Sequence, residues 1–154
     1  MKSHFLFCLF LSVFTAKLTF ADREISSNVE FKIAFGSCGK QTHPLPIFDE
    51  VIKQDPNIFI FLGDNIYGDT NDMDILRKKY QELGTKESYQ HLIQNTEVLA
   101  TWDDHDYGQN DAGKHYPHKE ESKEIFLEFF KEPKNSERYT HKGIYHSVYK
   151  KAGN

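Results

Sequence analysis

Residues 58–69, IFIFLGDNIYGD, join a short apolar run to a loop rich in polar side chains. The β-branched and aromatic run from Ile58 to Leu62 is typical of a buried strand. The same pattern occurs earlier in FKIAFGSC (31–38) and later in VLATWDDHDYGQND (98–111). Because loops at the carboxyl ends of neighbouring parallel strands meet in one crevice, we expect these three loops to converge on one ligand.

The segments between these three runs have helical periodicity. The alternation of strands and helices predicts an α/β domain. Pro46 can begin a helix that ends before Asp55-Pro56, which gives a βαβ unit with a right-handed crossover. Further helices are predicted at 76–84, from about residue 86, and at 118–131, where an aromatic stripe faces inward. The alternation in GIYHSVYK (143–150) predicts a last strand with an open edge, and the Asp- and Asn-rich segment 69–74 predicts a solvated loop and helix cap.

The composition favours one globular domain and disfavours large anionic partners. With 154 residues, 38% hydrophobic and 27% charged, the chain suits a single core rather than a disordered or fibrous protein. The formal net charge of −4 makes nucleic acid and anionic membrane surfaces unsuitable as bulk partners. A phosphate compound stays compatible if metal cations supply positive charge locally.

The first 21 residues have the pattern of a secretory signal peptide. Lys2 precedes an apolar stretch from Phe5 to Ala16, and no acidic residue occurs before Asp22. The stretch is short for a transmembrane span, although an uncleaved anchor is the alternative. We therefore predict a signal peptide at 1–21 and a domain at 22–154 that is secreted or periplasmic, with no stable membrane span after cleavage. The sequence does not indicate the oligomeric state.

Cys38 is the one cysteine that remains after Cys8 leaves with the signal peptide. A lone thiol in a disulfide-permissive compartment can be a metal ligand, a nucleophile or a small buried residue. Its place between Ser37 and Gly39 at a predicted strand end favours the ligand.

The loop after the second strand offers a carboxylate and a phenol. Asp64 follows a buried strand and is held rigidly enough to bridge two hard cations, while Gly63 allows close approach of the backbone. Tyr67 could place its phenol beside the same ion, and a thiolate with a phenolate favours oxidised iron over magnesium. The alternatives are a turn role for Asp64 and a packed rim position for Tyr67.

The loop after the third strand packs three carboxylates and an imidazole together as Asp103-Asp104-His105-Asp106. Such acids repel one another and raise one another's pKa unless a bound cation or a solvent-exposed bend relieves the cost. The flanking Trp102 and Tyr107-Gly108 favour a shaped functional site over a ragged surface.

The segments FGSC, FLGDNIYGD and ATWDDHDYGQND, in this order, resemble the PhoD-like alkaline phosphatases of the calcineurin-like metallophosphoesterase superfamily. The resemblance runs from about Phe31 to at least Gly113. It implies a four-layer αββα sandwich, of which only the first half is present. It also implies release of phosphate from mono- or diesters with iron and calcium as cofactors.

Carried over by position, the resemblance assigns a role to each residue of the three loops. It makes Cys38, Asp64 and Tyr67 iron ligands, with Asp64 bridging toward a second metal that Asp104 would also bind. It makes His105 and Asp106 the His-acid pair that assists the phosphate oxygens or the leaving group. Asn65, Asp103 and Asn110 would be additional pocket residues.

The sequence therefore predicts a secreted metal-dependent phosphatase that acts on small phosphate esters through metal-activated water. The family's further His and Asp ligands come from a second half that nothing after Gly143 resembles, so we expect a fragment or a truncated chain. The alternative is a non-catalytic secreted remnant that binds a metal or phosphate. A Cys-His nucleophile pair is a weaker hypothesis, because it leaves Asp64 and Tyr67 unexplained.

Overall fold

The computed structural model describes residues 31–151, so the predicted signal peptide at 1–21 lies outside the described residues. The elements in chain order are β1 (Ile33–Gly36), α1 (Ile47–Lys53), β2 (Ile58–Leu62), α2 (Met73–Gly84), α3 (Glu87–Asn95), β3 (Glu97–Thr101), α4 (Asp104–Tyr107), α5 (Lys119–Phe129) and a 3₁₀ turn at Glu137–Tyr139. The alternation confirms the predicted α/β class. Within this part of the chain, no helix is both long and apolar enough to cross a bilayer.

The three strands form one parallel sheet in the order β1-β2-β3. Ile33 of β1 lies opposite Ile58 of β2, and Ile58 lies opposite Glu97 of β3. All three carboxyl ends therefore lie at the same edge of the sheet. The apolar runs predicted these strands close to their observed bounds. The burial predicted for β1 is wrong, because none of its four residues is buried, whereas Ile58, Phe59 and Phe61 of β2 are buried.

One face of the sheet carries the core. Phe61 of β2 packs against Phe48 of α1, Tyr89 of α3 and Phe130, which follows α5, at centroid distances of 5.6, 6.0 and 5.5 Å. Removing one such ring from water is worth about 2–3 kcal/mol, so this aromatic cluster holds the helices on the sheet. The predicted inward stripe of α5 is confirmed by its buried Ile125 and Phe126.

The opposite face of the sheet is largely open. Ile33 and Phe35 of β1 are 52% and 67% exposed, and Leu62 of β2 is 45% exposed. These residues share a face because side chains at alternate positions of a strand point the same way. The segment 144–148 lines a shallow cavity with Ile60, Leu99 and Thr101, so it covers only the β3 side of this face.

The predicted strand at 143–150 is wrong, because this segment has no regular secondary structure. The buried Arg138 side chain donates to the carbonyl oxygens of Ala100 in β3 and of Ile144, at 2.9 and 2.8 Å. The Arg138 guanidinium group therefore links the segment to the edge of β3. A strand in this place would instead be joined to β3 by a series of backbone hydrogen bonds. The alternating sequence gave no sign of this bridge.

Candidate metal centre

The loops after β1 and β2 are joined by backbone hydrogen bonds. The N–H of Cys38 donates to Gly63 O at 3.2 Å, and the N–H of Gly39 donates to Asp64 O at 2.9 Å. Cys38 and Asp64 adopt left-handed backbone angles, with φ of 61° and 50°. Such angles are uncommon for residues other than glycine and often occur at functional sites, where the surrounding contacts maintain them.

The loops after β2 and β3 bring two carboxylates and an imidazole together. Asp64, Asp104 and His105 each offer one ligand atom, and these atoms lie within 4.8 Å of one another. The Cys38 Sγ lies 3.6 Å from Asp64 Oδ2, so the thiol borders the same cluster. We call Asp64, Asp104, His105 and Cys38 the candidate metal centre.

The other oxygen of the Asp64 carboxylate is the most informative atom of this centre. Asp64 Oδ1 is buried and has no hydrogen-bond partner among the described residues. A buried carboxylate oxygen without a partner is costly, and a bound cation is one way to remove that cost. The residues present therefore fit a cation, although the cluster itself does not identify the metal.

Tyr67 lies beside the centre. Its ring packs on the His105 ring with a centroid distance of 4.3 Å and an interplanar angle of 36°. Partial burial raises the pKa of Tyr67, and the neighbouring Cys38 and Asp64 raise it further. A cation at the centre would oppose the influence of these two groups, because positive charge favours the phenolate.

The acid that contacts His105 is Asp69, which the sequence analysis did not select. His105 Nδ1 lies 2.6 Å from Asp69 Oδ1. Partial burial lowers the pKa of His105, but the hydrogen bond to Asp69 and the charges of Asp69, Asp64 and Asp104 together raise it above its usual value. Asp69 reaches the ring because its own backbone turns back with φ of 45°.

Asp106, predicted to orient His105, points inward instead. It is fully buried, and its carboxylate accepts the backbone N–H groups of Asn65, Ile66 and Asp103 together with the Tyr80 hydroxyl. Burial raises the pKa of Asp106 to about 7, against the opposing effect of these hydrogen bonds. Asp106 therefore joins the loops after β2 and β3 rather than orienting the imidazole.

The short helix α4, which the sequence analysis did not predict, aims Asp104 and His105 at the centre. Asp103 is its N-cap, accepts the N–H of Asp104, and forms a capping box with Asp106. The close approach predicted for Gly63 is confirmed, because a Cβ atom there would lie 2.7 Å from Asp103 Cβ. Asp103 is exposed and serves the turn, so the structure gives it a capping position rather than a place in the cluster.

The remaining predicted pocket residues lie in different environments. Asn65 is 2% exposed, and its amide nitrogen donates to Thr101 O at 2.9 Å. Its Oδ1 atom is buried without a partner in the described part of the chain. Asn110 is exposed and donates to Asp111, so it lies next to the centre but outside it.

A loop residue that the sequence analysis missed holds Tyr67 in place. Gln41 is 1% exposed; its side chain accepts the N–H of Tyr67 at 2.8 Å and donates to Tyr67 O at 3.4 Å. The Lys79 ammonium adds hydrogen bonds to the carbonyls of Tyr67 and Gly68. A lone glutamine in a Pro-rich loop carries no periodic signal that would have identified it.

Comparisons of the chain with protein-family models, with curated proteins and with solved structures found no match. The functional inference therefore depends on the residue types and geometry of the candidate metal centre.

Proposed function

We propose that this chain is a metal-dependent phosphoric ester hydrolase that releases phosphate from small mono- or diesters. The observation that carries the proposal is the Asp64 carboxylate, which has one buried oxygen without a partner beside Asp104 and His105. Carboxylates on a rigid strand end are the ligands that hard cations prefer, and paired cations are a common way to hydrolyse phosphate esters.

The proposal includes the PhoD-like αββα architecture. The three-stranded parallel sheet, with its candidate centre at the carboxyl ends of the strands, is consistent with that architecture. The open apolar face that contains Ile33, Phe35 and Leu62 also supports it, since the inner face of a sandwich is apolar.

The metals proposed from the resemblance are iron and calcium. Cys38, Asp64 and Tyr67 would hold iron, because thiolate and phenolate ligands suit an oxidised, Lewis-acidic metal. Asp64 and Asp104 supply the oxygen ligands that calcium requires. When bound, these cations would activate a water molecule and offset the charge of the phosphate oxygens.

His105 is the proposed proton donor to the phosphate oxygens or the leaving group. Asp69 engages Nδ1, so Nε2 is the ring nitrogen that remains for a substrate. The hydrogen bond also fixes the orientation of the imidazole, as a general acid requires. Asp69 thus takes the supporting role that the resemblance assigned to Asp106.

The test is phosphate release from p-nitrophenyl phosphate by the purified chain loaded with iron and calcium. We expect activity that EDTA removes and that Asp64→Asn abolishes, since the amide cannot offer two anionic oxygens to cations. Asp55→Asn is the matched control, because Asp55 has a similar left-handed φ of 51° but is exposed beyond the end of α1. Activity that survives both EDTA and Asp64→Asn would contradict the proposal.

A non-catalytic module that binds a metal or phosphate is the second candidate function. It is favoured by the small set of ligands in the described residues, in which Asp64, Asp104 and His105 form the one metal-type cluster. Titration calorimetry with calcium and with ferric iron, combined with the hydrolysis assay, distinguishes the hydrolase from the binding module. Metal binding that Asp64→Asn removes, together with no hydrolysis by the metal-loaded chain, would select the binding module.

A further inference from the structure

A cleft of about 400 Å³ opens beside the candidate metal centre. The cleft is wide and open to solvent. The residues that line it include Trp102, Asp103, Asp104, Lys114 and Lys142. Asp104 thus belongs both to the centre and to the cleft, so the two sites adjoin each other.

Two lysines line the cleft together with the carboxylates of Asp103 and Asp104. Lys114 and Lys142 are exposed and line the cleft. The lysines that form ion pairs among residues 31–151 are Lys53, Lys123, Lys134 and Lys150. The ammonium groups of Lys114 and Lys142 are therefore not engaged by carboxylates of this part of the chain and can bind an external anion.

The segment that carries Lys114 is joined to the centre. The N–H of Asp111 donates to Asp104 Oδ2 at 2.7 Å, which also holds the pKa of Asp104 below its ordinary value. The N–H of Tyr116 donates to Gly113 O at 2.9 Å, so both sides of Lys114 have fixed backbone contacts. Backbone contacts that already exist without a ligand lower the entropic cost of binding.

The segment that carries Lys142 is anchored separately. The buried Lys123 ammonium donates to His141 O at 2.7 Å, and Arg138 donates to Ile144 O at 2.8 Å. The backbone on either side of Lys142 is therefore fixed by buried cations that are themselves paired, Lys123 with Glu120 and Arg138 with Glu132.

We propose that this cleft binds the second phosphate group of a bisphosphorylated substrate through Lys114 and Lys142, while the first phosphate lies at the candidate metal centre. This inference rests on the proposed function, because cations at Asp104 are needed to offset the carboxylates near the first phosphate. A substrate with phosphates at both ends can place one phosphate at the bound cations and the other at the two lysines. An ester with a single phosphate makes only the first contact.

Trp102 provides a direct measurement of the cleft. It is the single tryptophan of the chain and lines the cleft, so its fluorescence reports on what binds there. Fructose 1,6-bisphosphate and fructose 6-phosphate are a matched pair of probes, since they differ by one phosphate. The titration is done with the calcium-loaded chain, and it requires no turnover.

We expect fructose 1,6-bisphosphate to bind about tenfold more tightly than fructose 6-phosphate, and the difference to shrink as salt is added. Lys114→Gln/Lys142→Gln should remove the tenfold preference. Lys78→Gln/Lys131→Gln is the control, because both lysines are exposed and lie outside the cleft. It should retain the preference.

Equal affinity for the two sugars, or a preference that survives Lys114→Gln/Lys142→Gln, would overturn the inference. The proposed function fails on a different result, the absence of metal-dependent phosphate release. A chain that hydrolyses both sugars with the same kcat/KM in wild type and in the lysine variant would keep the proposed function and lose the second phosphate site. A fluorescence preference without hydrolysis would keep the cleft site and favour the binding module.

Discussion

The contact between Asp69 and His105 decides which imidazole nitrogen can reach a ligand at the candidate metal centre. The carboxylate engages Nδ1 at 2.6 Å and leaves Nε2 for the centre. Tyr67 packs on the same ring, so the imidazole is held both at its edge and on one face. Because the negative charge of Asp69 raises the pKa of His105, this contact also influences the protonation state of the ring.

Replacing Asp69 by asparagine tests this contact. Asp69→Asn keeps an acceptor oxygen and tolerates the left-handed backbone, but it removes the charge. We expect the pKa of His105 to fall, measured by NMR titration of the His105 ring proton in the presence of EDTA. Glu121→Gln is the matched control, because Glu121 contacts His118 at 2.8 Å in a similar way. This variant should leave the pKa of His105 unchanged. An unchanged pKa of His105 in Asp69→Asn would show that the carboxylate does not act on the ring.

The buried carboxylate of Asp106 makes a separate prediction on stability. Asp106→Asn places an amide NH₂ among the N–H donors of Asn65, Ile66 and Asp103. Because at least one donor loses its acceptor, we expect the free energy of unfolding to fall by about 2–4 kcal/mol. Urea denaturation with EDTA measures the change, and Asp55→Asn should leave the value within about 0.5 kcal/mol of wild type.

The same carboxylate gives that stability a pH dependence of known sign. Its pKa is raised from 3.8 to about 7, so between these values the folded protein retains a proton that the unfolded chain has released. The stabilising effect of that proton is complete below pH 3.8, the ordinary pKa of the group, and is lost as the pH rises to about 7. We therefore expect the stability difference between wild type and Asp106→Asn to narrow from pH 5 to pH 8. A difference that widens over this range would contradict the raised pKa.

At the residue scale, the sequence predicted which loops form the site but not every contact within it. Asp64, Asp104, His105 and Cys38 come together because parallel strands end at one edge of the sheet, and that rule can be applied to the sequence. The pairing of His105 depends instead on the left-handed turn at Asp69, a backbone angle that leaves no periodic pattern.

At the level of elements, Gly63 controls how closely the β2 loop approaches the β3 loop. It has φ of 110°, and an added Cβ would lie 2.7 Å from Asp103 Cβ and 2.9 Å from Asp103 N. The two loops carry Asp64 and Asp104, so this approach sets the separation of the two carboxylates. A glycine at the end of a buried strand therefore serves the site through backbone geometry.

The corresponding prediction is that Gly63→Ala destabilises the fold and weakens metal binding together. We expect a loss of at least about 2 kcal/mol in the free energy of unfolding, from backbone strain and steric overlap. Gly113→Ala is the control, because a Cβ there meets nothing within 4 Å. Thermal unfolding and calcium calorimetry measure the two effects. If Gly63→Ala kept wild-type metal affinity, the loop separation would not depend on this contact.

The strands were predictable to different degrees for a physical reason. The strands β1, β2 and β3 are apolar runs that end in polar loops, and this local pattern identified them although β1 itself is largely exposed. The segment 143–150 has the alternating pattern of a strand. However, the Arg138 side chain donates a hydrogen bond to Ala100 O at the edge of the sheet, where a paired strand would donate its own N–H. Local alternation shows that a segment can pair, whereas pairing also requires an available edge, which depends on residues elsewhere in the chain.

At the scale of the whole molecule, the sheet has one face covered by helices and one largely open. The core of aromatic and aliphatic side chains lies between the sheet and helices α1, α2, α3 and α5. On the open face, Ile33 and Phe35 lie on β1, which is an edge strand of the sheet that residues 31–151 form. An exposed apolar face next to an unpaired edge promotes association between copies.

We therefore expect the isolated chain to self-associate, and Ile33→Thr/Phe35→Thr to increase the fraction of monomer. Threonine keeps a high strand propensity while it removes exposed apolar area, so β1 should persist. Sedimentation velocity over a range of concentrations measures the change. Ile75→Thr is the control, because Ile75 is 41% exposed on α2, away from the sheet. A wild-type chain that stays monomeric at the highest concentration, or an equal response to Ile75→Thr, would show that the open sheet face does not drive association.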